Sequence, residues 1–334
     1  MSSLKQIAAD LGVSHALVSR VLNNRMGTSR VSEKTRQAIL RHAKELDYQP
    51  NPLAIALKKG RKGVVGVFLH SVGVEGSDLS TDFIKAVSAS LSDAGINLWL
   101  QFFENAQEFH KACNSKLLRR VDGLIVAGIS HQELFQRLAD LVKNDLKVAT
   151  ACFQVGKNFS VPNFVVDQLA QCRLTTQHLL EIGCRRIAHF HLSPHRYNGY
   201  LQAHTAARLT PDKKLMIPSD DYTSDAGREC MEKLLASGVQ FDGICAESDA
   251  QAVGALQHLL DIGMPKSKWP KITGVDNSPI ASEYGPIPIT SVTAEMATCA
   301  RMAVEAILQQ MEGKPVESCQ IPPRLVIRQS TVSQ

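Results

Sequence analysis

Apolar positions recur at two different periods along the chain. In the first fifty or so residues the spacing is helical. Leu4, Ile7, Ala8 and Leu11 share one face of a predicted helix over Leu4–Leu11, which Ser3 can cap. Gly12-Val13 breaks that pattern, and Ser14 opens a second helix, Ser14–Asn23, with Leu17, Val18, Val21 and Leu22 as its stripe. A third, Ser32–Leu46, carries Ile39, Leu40, Ala43 and Leu46 on one side and can close a small core over the first two. From Val64 onward short β-branched runs alternate with amphipathic helices. Strands are predicted at Val64–Leu69, Ile96–Phe103, Leu124–Ala127, Val148–Phe153, Phe164–Val166, Ile187–His191, Gly243–Ala246, Ile272–Val275 and Leu325–Ile327. Helical patterns fill the gaps at Thr81–Ala94, Gln132–Asn144, Gln168–Ile182, Asp225–Ser237, Asp249–Ile262 and Ala294–Glu312. Repeated β–α units imply parallel sheets covered on both faces, and more than eight strands fit two subdomains better than one sheet. The fold class is therefore α/β: a helical head followed by a two-lobed core of parallel sheets. A ligand of such a core sits at the carboxyl ends of the strands, in the cleft between lobes.

Composition narrows the class. The chain has 334 residues, 44% hydrophobic and 21% charged, which is ordinary globular usage. No apolar run approaches the ~18 residues of a membrane helix, and MSSLKQIAAD has no apolar stretch of the secretory kind. Eight scattered cysteines without a C-x-x-C pair point to reduced thiols in a cytoplasmic protein. Charge is uneven. Residues 1–62 hold twelve Lys/Arg and four acids, whereas the remainder holds 25 basic and 28 acidic residues. A basic head on a slightly acidic body is the footprint of a protein that meets a polyanion through its head alone.

Two short helices around a glycine turn make the helix-turn-helix plan, whose second helix enters the major groove. Opposite its apolar stripe that helix offers Ser14, His15, Ala16, Ser19, Arg20 and Asn23. Arginine reads guanine edges bidentately, and short polar side chains suit phosphates and bases.

LKQIAADLGVSHALVSRVLN, followed by VSEKTRQAILRHAKELDYQPNPLAIALKKGRKGVVGV, resembles the DNA-binding head of the lactose/galactose repressor family. Val18-Ser19-Arg20, Leu22-Asn23, Val31-Ser32, Thr35-Arg36, Leu46, Tyr48, Pro50-Asn51, Ala54 and Leu57 fall on the family pattern in register. The resemblance continues through the body in HLLEIGCRRIAHF, SDAQAVGALQHLLDIGM, KITGVDNSP and PPRLVIRQST. It implies a head over 1–49, a hinge helix and linker over 50–62, and an effector-binding and dimerisation core over 63–334. The lobes it implies are 63–161 with 293–320, and 162–292 with 321–334. It places Leu57 as a wedge into the minor groove, with Asn51, Ala54 and Lys58 around it, a device that trades base unstacking for a bend and added contacts. The head departs from the pattern at Leu17, at Ile55 and in a longer loop before the third helix.

For the effector, the resemblance puts Arg196 at the clamping arginine, Asp276 at the acid closing a strand, Tyr222 at the stacking aromatic and Ser248 at a polar contact. Phe153 follows Cys152 where many members carry an acid and then a basic or aromatic residue. Donors and acceptors of this kind fix hydroxyls or a carboxylate, and an aromatic face covers a ring. Each residue also has a structural reading: Asp276 can cap a turn, Arg196 can form an ion pair, and Tyr222 can lie in the core. His189, His191 and His195 form H-x-H-x-x-x-H, but no carboxylate or cysteine nearby in sequence completes a zinc set, so no metal or other cofactor is expected. Phosphate-binding glycine motifs, metalloprotease motifs and nucleophile elbows are absent from the sequence. The expected protein is not an enzyme. It is a cytoplasmic, nucleoid-associated regulator, a repressor of a metabolic operon. It binds a pseudo-palindromic double-stranded operator as a homodimer, away from membranes, and a small effector such as a sugar tunes it. The rivals are a solute-binding protein, which would not need residues 1–62, and a sugar- or nucleotide-processing α/β enzyme.

Overall fold

The computed structural model describes residues 4–22, 31–46, 48, 60–70, 77–129, 131–156 and 158–332. The chain divides into two compact units, Met1–Gly63 and Val64–Gln334.

In the first unit, α1 (Leu4–Asp10), α2 (His15–Leu22) and α3 (Glu33–Glu45) enclose Ile7, Ala8, Val18, Val21, Ile39 and Ala43. The stripes predicted from spacing therefore meet in one core. Gly12 adopts φ +62°, a left-handed conformation that ends α1 at little steric cost. The Ser14 hydroxyl then accepts the Leu17 amide at 3.2 Å, and Ser32 caps α3 by accepting the Thr35 amide at 3.1 Å. His42 of α3 bonds Asp10 of α1 at 2.8 Å and Glu45 at 3.3 Å. The Asp10 contact raises the His42 pKa above its ordinary value and links the two helices.

The second unit contains strands β1 (Val64–His70), β2 (Asn97–Phe103), β3 (Gly123–Ala127), β4 (Lys147–Ala151), β5 (Asn163–Val166), β6 (Ile187–His191), β7 (Met216–Pro218), β8 (Gly243–Ala246), β9 (Lys271–Asp276), β10 (Thr290–Thr293), β11 (Cys319–Ile321) and β12 (Leu325–Val326). They form two sheets of six, ordered β11-β5-β4-β3-β1-β2 and β12-β10-β9-β8-β6-β7. Every pairing is parallel except β12 against β10. The helices are α4 (Leu79–Asp93), α5 (Ala106–Ala112), α6 (Ser115–Leu118), α7 (Gln132–Lys143), α8 (Gln168–Glu181), α9 (Pro194–Ala206), α10 (Ser224–Ala236), α11 (Asp249–Asp261) and α12 (Met296–Met311). Separate cores fill the two faces of the first sheet. Val65, Val67 and Leu69 of β1 pack toward α4 and α12, while Phe68 packs with Phe103 and Phe109 on the other side. Alternate residues of one strand thus serve both faces, as a helix-covered parallel sheet requires.

Strand pairing corrects the lobe boundaries expected from sequence. Asn163 and Phe164 pair with Thr150 and Ala151 of β4, so the chain leaves the first lobe after Val166 rather than at 161. Thr293 still pairs with Asp276 in the second sheet, and Ile321 still pairs with Val166 in the first. The two later crossings therefore fall after 293 and after 321. Ladder hydrogen bonds decide these junctions, and hydropathy does not record them. α12 belongs to the first lobe, where the Gln310 amide both donates to and accepts from the Val148 backbone, at 3.0 and 3.1 Å.

α9 was not among the predicted helices. Its sequence, PHRYNGYLQAHTA, is polar and interrupted by Gly199, yet Tyr200, Ala203 and His204 are buried. A Cβ on Gly199 would collide with the Leu169 carbonyl of α8 and the Arg173 amide, so only glycine permits this helix contact. Gly199→Ala is expected to lower unfolding stability by about 1–3 kcal/mol through overpacking, as measured by urea denaturation.

Candidate functional site

In the second unit, helix N-termini gather at the carboxyl ends of the strands, where a residue of the short loop after each of four strands caps the next helix. Asp167 caps α8, Ser193 caps α9, Thr223 caps α10 and Ser248 caps α11. Between the lobes at this edge lies a cavity of about 510 Å³. That is within the usual range for small-molecule sites. Its two walls differ. Among the described residues the first lobe supplies Leu79, Ile129, Val165, Val166 and Met296, with Cys152 and Gln154, whereas the second supplies Arg196, Tyr222, Ser248 and Asp276.

Arg196 occupies the floor. It is 8% exposed, and its two terminal nitrogens are committed: Nη1 donates to the Glu247 carbonyl, and Nη2 lies 3.5 Å from Gln171 Oε1 and 4.0 Å from an Asp276 carboxylate oxygen. Its guanidinium carbon sits 5.3 Å from the centre of the Tyr222 ring, a cation–π distance. The buried Nε has no hydrogen-bond partner. An orphaned charged N–H of a cavity-lining residue is a donor site for a ligand oxygen.

Asp276 ends β9 at φ +113°, a conformation uncommon for a residue with a side chain, and Asn277 follows at φ +53°. Burial pushes the Asp276 carboxyl up to about 6 against the pull of Arg196. Behind it Asp249, 1% exposed, accepts the Ser278 amide at 2.8 Å and the Ser291 hydroxyl. Burial and then the Asp276 charge push Asp249 up to about 8 despite those donors. Ser248 donates to the Tyr222 carbonyl at 2.6 Å and accepts the Gln251 amide at 3.0 Å, so its hydroxyl ties two lip segments together.

Arg196, Tyr222, Ser248 and Asp276 thus line one cavity. Phe153 does not. It is fully buried beside Phe135 in the first lobe's core. The reason lies one residue earlier: Cys152 takes φ +66° at the end of β4 and meets the cavity itself, which turns the following side chain inward. Sequence reading missed Gln168, Gln171 and Asp221, which also line the cavity, and Glu247, which is wholly buried beneath it. Their common signal is position, since each lies within a few residues of a strand's carboxyl end. The histidine motif gathers no metal set. The His189 ring faces Glu247 and the Cys245 carbonyl, and among the described residues no three His, Cys, Asp or Glu side chains assemble as ligands.

In the first unit Ser14, His15, Ala16 and Arg20 are exposed on α2, Ser19 is half-buried, and Val18 and Val21 face the core. Asn23, Asn51, Ala54, Leu57 and Lys58 lie outside the described residues. No described helix is long and apolar enough to cross a membrane.

A helix-turn-helix head on a two-lobed core with an interlobe cavity defines a ligand-responsive DNA-binding regulator. Residues 3–51 match the lacI family of bacterial regulatory proteins, and residues 176–331 match a periplasmic binding protein-like domain. The ribose operon repressor of Halalkalibacterium halodurans is 27% identical over 99% of this chain and 97% of its own. Among solved structures, a complex of the transcriptional regulator CelR with cellobiose superposes with a TM-score of 0.69 at 25% identity, covering 99% of this chain and 100% of its own. The Lac repressor dimer bound to operator and an anti-inducer superposes at 0.76 with 22% identity, covering 99% of both chains, and so shares the fold. Residues 3–51 thus form a lacI-family DNA-binding domain ahead of a periplasmic binding protein-like domain, the build of a DNA-binding transcriptional regulator.

Carboxyls whose pKa rises on folding favour the folded state most below the unfolded Asp value of about 3.9. That contribution fades as pH climbs through the folded values of Asp276 and Asp249. Calorimetric melting is therefore expected to show stability falling from about pH 4 to about pH 8, with a shallower fall in Asp249→Asn.

Proposed function

We propose that the protein is a repressor of a metabolic operon that grips a pseudo-palindromic operator as a homodimer, with α2 of each copy in the major groove. The observation that carries this reading is the packing of Val18 and Val21 against Ile7 and Ile39, which turns Ser14, His15, Ala16 and Arg20 outward together. Arg20 supplies bidentate base contact, with Ser19 and Asn23 beside it. Leu57 wedges the minor groove, flanked by Asn51, Ala54 and Lys58, a role that rests on the sequence pattern. The excess of basic residues in 1–62 supplies phosphate contacts, so affinity falls steeply with salt. Its place of action is the cytoplasm, at the nucleoid.

The effector is a neutral, hydroxylated small molecule such as a sugar. The Arg196 charge already faces Asp276, so an uncharged ligand satisfies the pair without adding a net charge. The unpartnered Arg196 Nε donates to a ligand oxygen, the Asp276 carboxylate accepts a hydroxyl, and Tyr222 and Ser248 complete the polar wall. Leu79, Val165, Val166 and Met296 receive the ligand's less polar face. The cellobiose bound to the CelR relative supports a saccharide. Ligand-driven lobe closure would change operator affinity with a coupling of typically ~1–3 kcal/mol.

Selection of bound duplexes from a random pool, repeated with a panel of mono- and disaccharides, tests both halves. An enriched palindrome is expected, its recovery changed by at least one sugar. Arg20→Ala should lose about 1–3 kcal/mol of discrimination at one symmetric base position, as read by competition binding. Recovery of no preferred sequence would overturn the reading.

A further inference from the structure

His189 and Glu247 form a fully buried pair directly beneath the Arg196 turn, with Nε2 3.2 Å from Glu247 Oε1 and both side chains at 0% exposure. The other ring nitrogen, Nδ1, lies 3.0 Å from the Cys245 carbonyl oxygen. A carbonyl and a carboxylate both accept, and a neutral imidazole carries only one N–H. With Nδ1 against the carbonyl, and a carboxylate at ion-pair distance from Nε2 though outside hydrogen-bond geometry, the surroundings favour the imidazolium. The Tyr200 ring stacks on it at 4.6 Å with a 6° interplanar angle, a face that favours a cation.

Three of the four polar atoms of Glu247 hold the lip of the cavity, while Oε1 faces the imidazole. Oε2 accepts the Ser193 amide at 2.8 Å, and the backbone carbonyl accepts from Arg196 Nη1. The backbone amide donates to Gln251 Oε1 at 2.9 Å. Gln251 Nε2 in turn donates to Ser219 Oγ at 2.9 Å and to the Asp221 carbonyl at 2.7 Å. Three lip segments, at 192–196, 219–222 and 247–251, hang on this one carboxylate and its amide neighbour. Without the imidazolium, Glu247 would be an uncompensated buried charge and would swing toward solvent. That swing releases Ser193, which caps α9 at the Arg196 amide.

We propose that His189 and Glu247 are a positioning pair for the effector clamp: a permanently charged imidazolium–carboxylate that holds the Ser193–Arg196 turn, and with it the guanidinium, in the geometry a ligand meets. This rests on Arg196 being the effector's anchor. Burial alone would lower the His189 pKa, but the hydrogen bonds and charges of Cys245 and Glu247 carry it up to about 10. From β8 the ring faces Cys245 and Glu247, and from α9 it faces Tyr197, Tyr200 and His204. On its own strand it faces His191, and Cys172 of α8 stands against Cys245. Cys245 is a further acid against the ring: hydrogen bonds with Cys172 and His189 hold its thiol well below its ordinary value despite burial.

Full-length protein labelled with 15N-histidine tests the pair, with the His189 signal assigned by its loss in His189→Phe. The expected ring is doubly protonated from about pH 6 to about pH 8.5 in the wild type, and in Glu247→Gln it titrates within that interval. Hydrogen–deuterium exchange of the 192–196 segment should quicken at least tenfold in Glu247→Gln, while circular dichroism shows the fold retained and Glu247→Asp restores part of the protection. A neutral His189 at pH 7, or unchanged exchange in Glu247→Gln, overturns the proposal. The sugar recovered by the operator selection gives a further readout. At about pH 7.5 its dissociation constant should be at least tenfold higher for Glu247→Gln than for the wild type. Equal affinities in the two proteins would overturn the positioning role. If no sugar binds the wild type, the effector reading fails, and the ring charge and exchange still decide whether the pair holds the turn.

Discussion

A guanidinium withdrawn from water needs acceptors, and the second lobe is arranged around meeting that need at Arg196. Its acceptors come from three separate strand ends. The Glu247 carbonyl follows β8, Asp276 closes β9, and Gln171 lies in the first turn of the helix after β5. Tyr222 covers the charged plane from a fourth segment. A parallel sheet is what brings these segments to one edge, since every β–α unit delivers its loop to the same side. Nε, by contrast, is buried without a hydrogen-bond partner.

The division of the cavity into a polar and an apolar wall has a mechanical consequence. The charged groups belong to the second lobe, with Leu192 and Pro194 beside them, and the first lobe's wall is mostly apolar apart from Cys152 and Gln154. A ligand anchored on Arg196 and Asp276 gains hydrophobic burial only when the first lobe closes over it, so closure and affinity are linked. The three crossings, after 166, 293 and 321, are where such motion is absorbed. Two of them adjoin the site: Val166, before the first crossing, lines the cavity, and Thr293, before the second, pairs with Asp276 and accepts from Gln171 at 3.0 Å.

Much of this was legible in the sequence because the periodicities are strong. Val18, Val21, Ile7 and Ile39 announced a helical head, and Ile187–His191 and Gly243–Ala246 were delimited to the residue because each is a compact apolar run ended by polar groups. Elements with weak patterns escaped. β7 and β11 have three residues each, too few for a period, and α9 is buried through tyrosine, histidine and glycine rather than leucine. The cavity was half legible. Arg196 and Asp276 could be carried over from the resemblance, but Phe153 could not, because a single left-handed residue at Cys152 reverses which side chain meets the ligand. Glu247 was invisible for a different reason: its role depends on a partner 58 positions earlier, His189, and the alternating histidines suggested metal rather than an ion pair.

The account turns on communication between the cavity and DNA, and titration of the selected operator with and without the recovered sugar tests it most directly. Wild-type protein is predicted to change its operator dissociation constant by roughly five- to 150-fold when the sugar is saturating, and Arg196→Leu is predicted to lose that response. An operator affinity that the sugar leaves unchanged, or an equal response from Arg196→Leu, would contradict it.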